Sequence, residues 1–138
     1  MSNPAITLAQ SEFEALAAYR HALRRFLQFS VETARSAGLT PQQYQVLLAV
    51  KAARAPLSIG ELALTMQLRH HSTVGLVDRL VRRHWLRRMP DPTDARRVRL
   101  QLTASGDKLL TEVAMVNRGE LRRIGPELIH SLESLGVA

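Results

Sequence analysis

The chain has 138 residues, a formal net charge of +7 and no cysteine. That length fits one domain, and the absence of thiols excludes disulfides, thiolate metal sites and thiol-based redox switching. A basic balance of this size points to a polyanionic partner, nucleic acid or an acidic membrane surface, and says nothing about fold. Apolar residues make up 46% but aromatics only 4%, a mixture that suits helices filled with Leu, Val and Ala better than a β-sandwich. No stretch approaches ~20 uninterrupted apolar residues. The first sixteen or so residues carry acids where a secretory signal has a basic start and an apolar run. A cytoplasmic protein with no membrane anchor is expected.

Apolar positions Phe13, Leu16, Ala17, Leu23, Phe26 and Leu27 recur near helical spacing and predict one long helix over 8–37. Gly38 stops it as a left-handed terminating residue. The stripe of Phe13, Leu16, Leu23 and Phe26 is longer than a small domain needs internally, so it either crosses the whole fold or packs on a second chain. Thr40-Pro41-Gln42-Gln43 forms a capping box with proline at the first helical position. The helix it opens carries Tyr44, Val46, Leu47, Leu48 and Val50 and ends before Pro56. Ser58-Ile59-Gly60-Glu61 reads as a second capping box, opening a short helix to Met66. After a turn at 67–69, a further helix is predicted over 70–83.

The period then changes. Residues 85–88 are strand-like, and Met89-Pro90-Asp91-Pro92-Thr93-Asp94 is dense in turn formers. Val98, Leu100 and Leu102 alternate with Arg97, Arg99 and Gln101, the period of a half-buried strand. A β-hairpin over 85–102 follows. Thr103 is expected to cap a helix through Leu109, Leu110, Val113 and Val116 ending near Gly125, and Pro126 to open a separate last helix through Leu128, Ile129, Leu132 and Leu135.

The predicted fold class is mainly α with a small β-hairpin. Two short helices joined by a tight turn and followed by a basic hairpin match the winged helix-turn-helix plan, whose second helix enters the major groove of duplex DNA. The charge agrees with this. Between positions 69 and 99 stand nine arginines and three aspartates, six of the seven net positive charges of the chain. Clustered Arg suits phosphate geometry; a merely solvated basic face would intersperse both signs.

Projected at 100° per residue, the helix over 70–83 turns Val74, Val77 and Val81 inward, flanked by His70, Thr73 and Leu80. Ser72, Gly75, Arg79 and Arg83 face outward, with His71, Leu76 and Arg82 at the margins. His71 and Ser72 sit in the first turn, the part of a recognition helix that reaches base edges. Gly75 has two readings, a close approach of backbone to a base pair or a neutral accident. Arg79 also has two, a DNA contact or an ion pair with a hairpin aspartate. Arg82, Arg83, Arg87 and Arg88 are read as phosphate contacts, and Arg69 and Arg97 join the DNA-contacting set at the two ends of the basic run.

The run from 57 to 106 resembles the MarR family of multiple-antibiotic-resistance regulators. The matching pieces are Ser72-Thr73-Val74, Val77-Asp78-Arg79-Leu80, Asp91-Pro92 with Asp94-Ala95-Arg96, and Leu102-Thr103 followed by Gly106. The resemblance implies a single domain over 1–138 and a homodimer. Its dimerisation helices would span 8–37 and 104–138, flanking a DNA-binding lobe over 40–103. It further implies a double-stranded, pseudo-palindromic operator and a repressor released by a small aromatic or phenolic effector, whose binding residues the sequence leaves open. In the hairpin wing it implies that Asp94 braces while Arg96 enters the minor groove. Two positions depart from the family pattern: Ala95 stands where a cation is usual, and His84 where a glycine is usual. His tolerates positive φ better than bulky residues do, so the turn after the recognition helix is expected to survive.

Other functions find little support. His70 and His71 are adjacent and diverge on a helix, and no two histidines stand at i, i+4, so no metal site is expected and His70 reads as a packed residue. There is no Gly-rich phosphate loop, nucleophile elbow or paired carboxylate in an apolar setting. The expectation is no enzyme, no catalytic residue and no cofactor. An architectural DNA binder without sequence preference and a pure oligomerisation module are the rivals.

Overall fold

Local signals set the starts of the first three helices. The computed structural model describes residues 6–137; residues 1–5 and 138 of the expected domain span lie outside them. Helix α1 (Gln10–Ser36) starts where Glu12 Oε1 accepts from the Ala9 amide at 3.1 Å. It ends at Gly38, whose φ of 87° lets the amide of Leu39 return to the Ala34 carbonyl at 2.9 Å, with Leu39 buried behind it. The box that opens α2 (Pro41–Ala52) is complete: Gln43 N donates to Thr40 Oγ1 at 3.1 Å and Thr40 N to Gln43 Oε1 at 3.0 Å.

The second box forms only by half. Ser58 Oγ accepts from Glu61 N at 3.1 Å and caps α3 (Ile59–Met66), but the Glu61 carboxylate is drawn instead to Arg99 at 3.0 Å. A charge-assisted bond to a guanidinium outcompetes a bond to one neutral amide. Helix α3 ends at Gln67 in the left-handed region, φ 55°, and the short turn leads directly into α4 (His70–Arg82). His84 occupies the glycine-like position after α4 with φ 61°, as its substitution for glycine predicts.

Strands β1 (Leu86–Pro90) and β2 (Val98–Leu102) pair antiparallel, with Leu86 opposite Leu102 and Pro90 opposite Val98. The first strand therefore starts one residue later and runs two residues further than the sequence suggests. Pro90 is tolerated at the strand end because the next amide, Asp91 N, closes the ladder on Arg97 O at 3.0 Å. The loop before α3 joins the same sheet edge, Leu100 N donating to Leu57 O at 2.9 Å.

The expected break at Pro126 is absent: α5 (Ala104–Ser134) runs through it. The ring removes one hydrogen bond to residue 122. However, the preceding residue is Gly125, which has no Cβ to collide with the pyrrolidine. Arg122 and Pro126 are both exposed, so water can satisfy the freed carbonyl.

The described residues form two compact units. Val31–Met115 encloses a core of Leu39, Val46, Leu47, Leu62, Val77, Leu80, Leu86 and Leu100. The other unit consists of 6–30 with 116–137. In it Ala15, Ala22 and Ile124 are buried, while Phe13, Leu16, Leu27, Leu121 and Ile129 remain exposed. No helix among the described residues is long and apolar enough to cross a membrane.

Candidate nucleic-acid interface

Helix α4 buries one face and offers the other. Thr73, Leu76, Val77 and Leu80 face the core, so the inner stripe is rotated from the projected one. Leu76, placed at the margin by projection, is buried, and Val74 and Val81 are only half-buried. Thr73 can occupy the core because its hydroxyl donates to the Arg69 carbonyl at 3.0 Å. His70 is exposed, contrary to its expected packing. It is the first residue of α4, one turn before the helix meets the core.

His71, Ser72, Arg79 and Arg82 are exposed and Gly75 half-exposed along the outer face. A Cβ built on Gly75 meets nothing within 4 Å. This surface carries a shallow hollow of about 390 Å³ lined by Gln42, Leu68, His71, Ser72, Gly75, Leu76 and Arg79. A second hollow is lined by Gln43, Arg79, Arg82 and Arg83. Among the described residues no carboxylate lies within ion-pair distance of Arg69, Arg79, Arg82, Arg83 or Arg97. Arg79 is thus not paired with a hairpin aspartate.

Arg87 and Arg88 have partners within the fold. Arg88 pairs with Asp78, tying β1 to α4. Arg87 donates twice to its cross-strand neighbour Gln101, at 2.9 and 2.6 Å. The Arg83 guanidinium lies 4.5 Å from the ring centre of Trp85, a cation–π contact.

At the wing tip, Asp94 Oδ1 accepts from the Arg96 amide at 3.0 Å, and the Arg97 amide donates to Asp94 O at 3.0 Å. Asp94 shapes the turn from which Arg96 projects. The Arg96 side chain is 94% exposed and meets Asp94 only at 3.6 Å, a contact worth little in water. It is free to reach.

Sequence reasoning missed the heavier brace. Asp91, nearly fully buried, accepts on Oδ1 from Thr93 N and Thr93 Oγ1, both at 2.8 Å, and from Asp94 N at 3.2 Å. Its Oδ2 accepts from Arg99 Nε at 2.7 Å. The Thr93 amide and hydroxyl, then the Arg99 guanidinium and the Asp94 amide, outweigh desolvation and hold the Asp91 carboxyl well below the usual carboxylate range. The signal was present: an Asp followed two residues later by Thr is an Asx-turn pattern. At the wing base, Thr103 Oγ1 donates to His84 O at 2.6 Å and accepts from Gly106 N at 3.0 Å. Gly106 sits so close that an added Cβ would stand 2.0 Å from the Trp85 carbonyl oxygen. Among the described residues no group of three or more His, Cys, Asp or Glu is placed to hold a metal.

Comparison with known proteins gives a consistent pattern. A family model described as MarR family matches residues 37–97. An HTH-type transcriptional regulator of Bacillus subtilis, YsmB, is 35% identical over 66 residues, covering 48% of this chain and 45% of the relative; the match thus spans less than half of that relative. Among solved structures, the transcriptional regulator Tm0710 of Thermotoga maritima is 27% identical with a TM-score of 0.67, covering 84% of this chain and 80% of its own. A mutant of E. coli MarR crystallised with operator DNA is 23% identical with a TM-score of 0.68, covering 84% and 86%. A mutant of S. aureus MepR bound to an oligodeoxyribonucleotide is 22% identical with a TM-score of 0.70, covering 85% and 94%. The last two likenesses concern the fold alone.

Proposed function

We propose that this chain, whose residues 37–97 match a MarR-family model, is a transcription regulator that binds duplex DNA by sequence. The observation that carries this reading is the exposed face of α4, where Arg79 and Arg82 stand without a carboxylate partner beside Ser72 and Gly75. In this reading His71, Ser72 and Gly75 lie toward base edges in the major groove. Arg69, Arg79, Arg82, Arg83 and Arg97 meet phosphates, and Arg96 enters the minor groove from the wing, with Asp94 shaping its turn.

The functional unit is a homodimer on a pseudo-palindromic operator, with half-sites about one helical turn apart. The apolar side chains left exposed on α1 and α5 support it, and the two ends of the chain, 8–37 and 104–138, supply the dimer contacts in a single-domain protein. Repression relieved by a small aromatic or phenolic ligand is the regulatory reading that the likeness to the MarR family favours. The experiment is selection of bound DNA from a random duplex pool, followed by salt titration on the selected and a random duplex. Specific binding retains affinity at salt concentrations where the random duplex is lost. Parallel loss of both indicates an architectural binder instead.

A further inference from the structure

Arg99 has more partners within the fold than any other arginine of the basic run. Its side chain is 23% exposed. Nε donates to Asp91 Oδ2 at 2.7 Å, and Nη1 donates to Glu61 Oε1 at 3.0 Å and to the Pro56 carbonyl at 3.1 Å. These acceptors come from three segments: the wing tip, the first turn of α3, and the loop between α2 and α3. Backbone pairing of Ser58 with Arg99 brings the segments together at this point. The guanidinium then locks them, because its planar fork holds divergent acceptors in a fixed geometry that an ammonium cannot reproduce. Asp91, which also organises the turn carrying Asp94, transmits that hold to the tip.

We propose that Arg99 is a positioning residue for DNA binding, fixing the wing against the helix-turn-helix so that Arg96 and the outer face of α4 meet one duplex together. The inference rests on the DNA-binding reading above. A contact made at two points gains fully only when both are already held at the right separation; a loose wing must be ordered at the moment of binding. Arg99 spends Nε and Nη1 on these internal acceptors, so its part is to hold the contact that Arg96 and α4 make.

The test is a double-mutant cycle on a duplex selected from a random pool by the wild-type protein. Arg99→Gln is expected to weaken binding roughly three- to tenfold, within the coupling range of residues sharing one network. The salt slope stays unchanged, because no phosphate contact is lost. In an Arg96→Ala background the same change has little further effect, since there is no tip contact left to position. Glu61→Ala, at a carboxylate 44% exposed, provides a second variant should Arg99→Gln fold poorly. It removes a negative charge, which by electrostatics alone tightens DNA binding; the clamp requires it to weaken binding. Additive losses in the cycle, a slope reduced by about 0.9, tighter binding by Glu61→Ala, or full affinity in Arg99→Gln each overturn the inference. If the wild-type protein binds neither selected nor random duplex, the DNA-binding reading fails instead.

Discussion

At Gly106 and Gly75 the same substitution has opposite consequences. A methyl on Gly106 meets the Trp85 carbonyl, a backbone atom that cannot swing away. Gly106→Ala should therefore cost at least about 2 kcal/mol in denaturant unfolding, as overpacking against a fixed neighbour does. A methyl on Gly75 meets open space, and an exposed helical glycine costs roughly 0.5–1 kcal/mol relative to Ala. Gly75→Ala should raise stability by about that amount; a simultaneous loss of duplex affinity would identify close backbone approach to DNA, and unchanged affinity a neutral glycine. The arginines proposed to meet DNA separate by kind. Arg96→Ala should weaken operator binding by about 1–3 kcal/mol and lower the A·T preference at the outer edges of the site. Arg82→Ala should weaken selected and random duplex alike and reduce the salt slope by about one unit. Asp91 should set how the wing responds to acid. Its carboxyl is held low in the folded chain, so its contribution is fully present above the unfolded value near ~3.9 and is lost only as pH falls toward the depressed folded value. Amide exchange at Thr93 and Asp94 should therefore show the wing intact from pH 7 to pH 5, while Asp91→Asn loosens it throughout that range.

Helix ends were the most legible elements. Thr40, Pro41 and Gln43 specify the start of α2 through bonds made within four residues, and Gly38 and His84 sit at positive φ where only local backbone chemistry decides. What could not be read depended on distant partners. Glu61 abandons its capping role for Arg99, 38 positions away, and the rotation of the buried stripe on α4 follows from what packs against it rather than from its own periodicity. His70 was misplaced for that reason. Pro126 misled differently, since a proline is also a common first residue of a helix, and only Gly125 before it hinted at continuation. Restoring the missing amide tests this: Pro126→Ala should raise stability by up to about 3 kcal/mol, read as a higher denaturant midpoint with an unchanged m-value. A lower midpoint would mean that the proline fits a bend the fold requires.

For the whole molecule, the exposed Phe13, Leu16 and Leu27 on α1 and Leu121 and Ile129 on α5 are large apolar side chains that a second chain would cover. Sedimentation at micromolar concentration should give a dimer, and Leu16→Glu with Ile129→Glu should shift it toward monomer and abolish operator binding while random-duplex binding survives in part. A monomeric wild-type chain would contradict this. Trp85 has a further consequence. It is the sole tryptophan of the chain, half-buried at the wing base with the Arg83 guanidinium over its ring. The cation–π contact is worth about 0.5–1 kcal/mol, little enough for a phosphate to draw the guanidinium away. With Arg83 on a phosphate as proposed, Trp85 becomes an intrinsic optical reporter of occupancy: duplex titration should change its emission without any label, and Arg83→Met should abolish most of that change while leaving the ring in place.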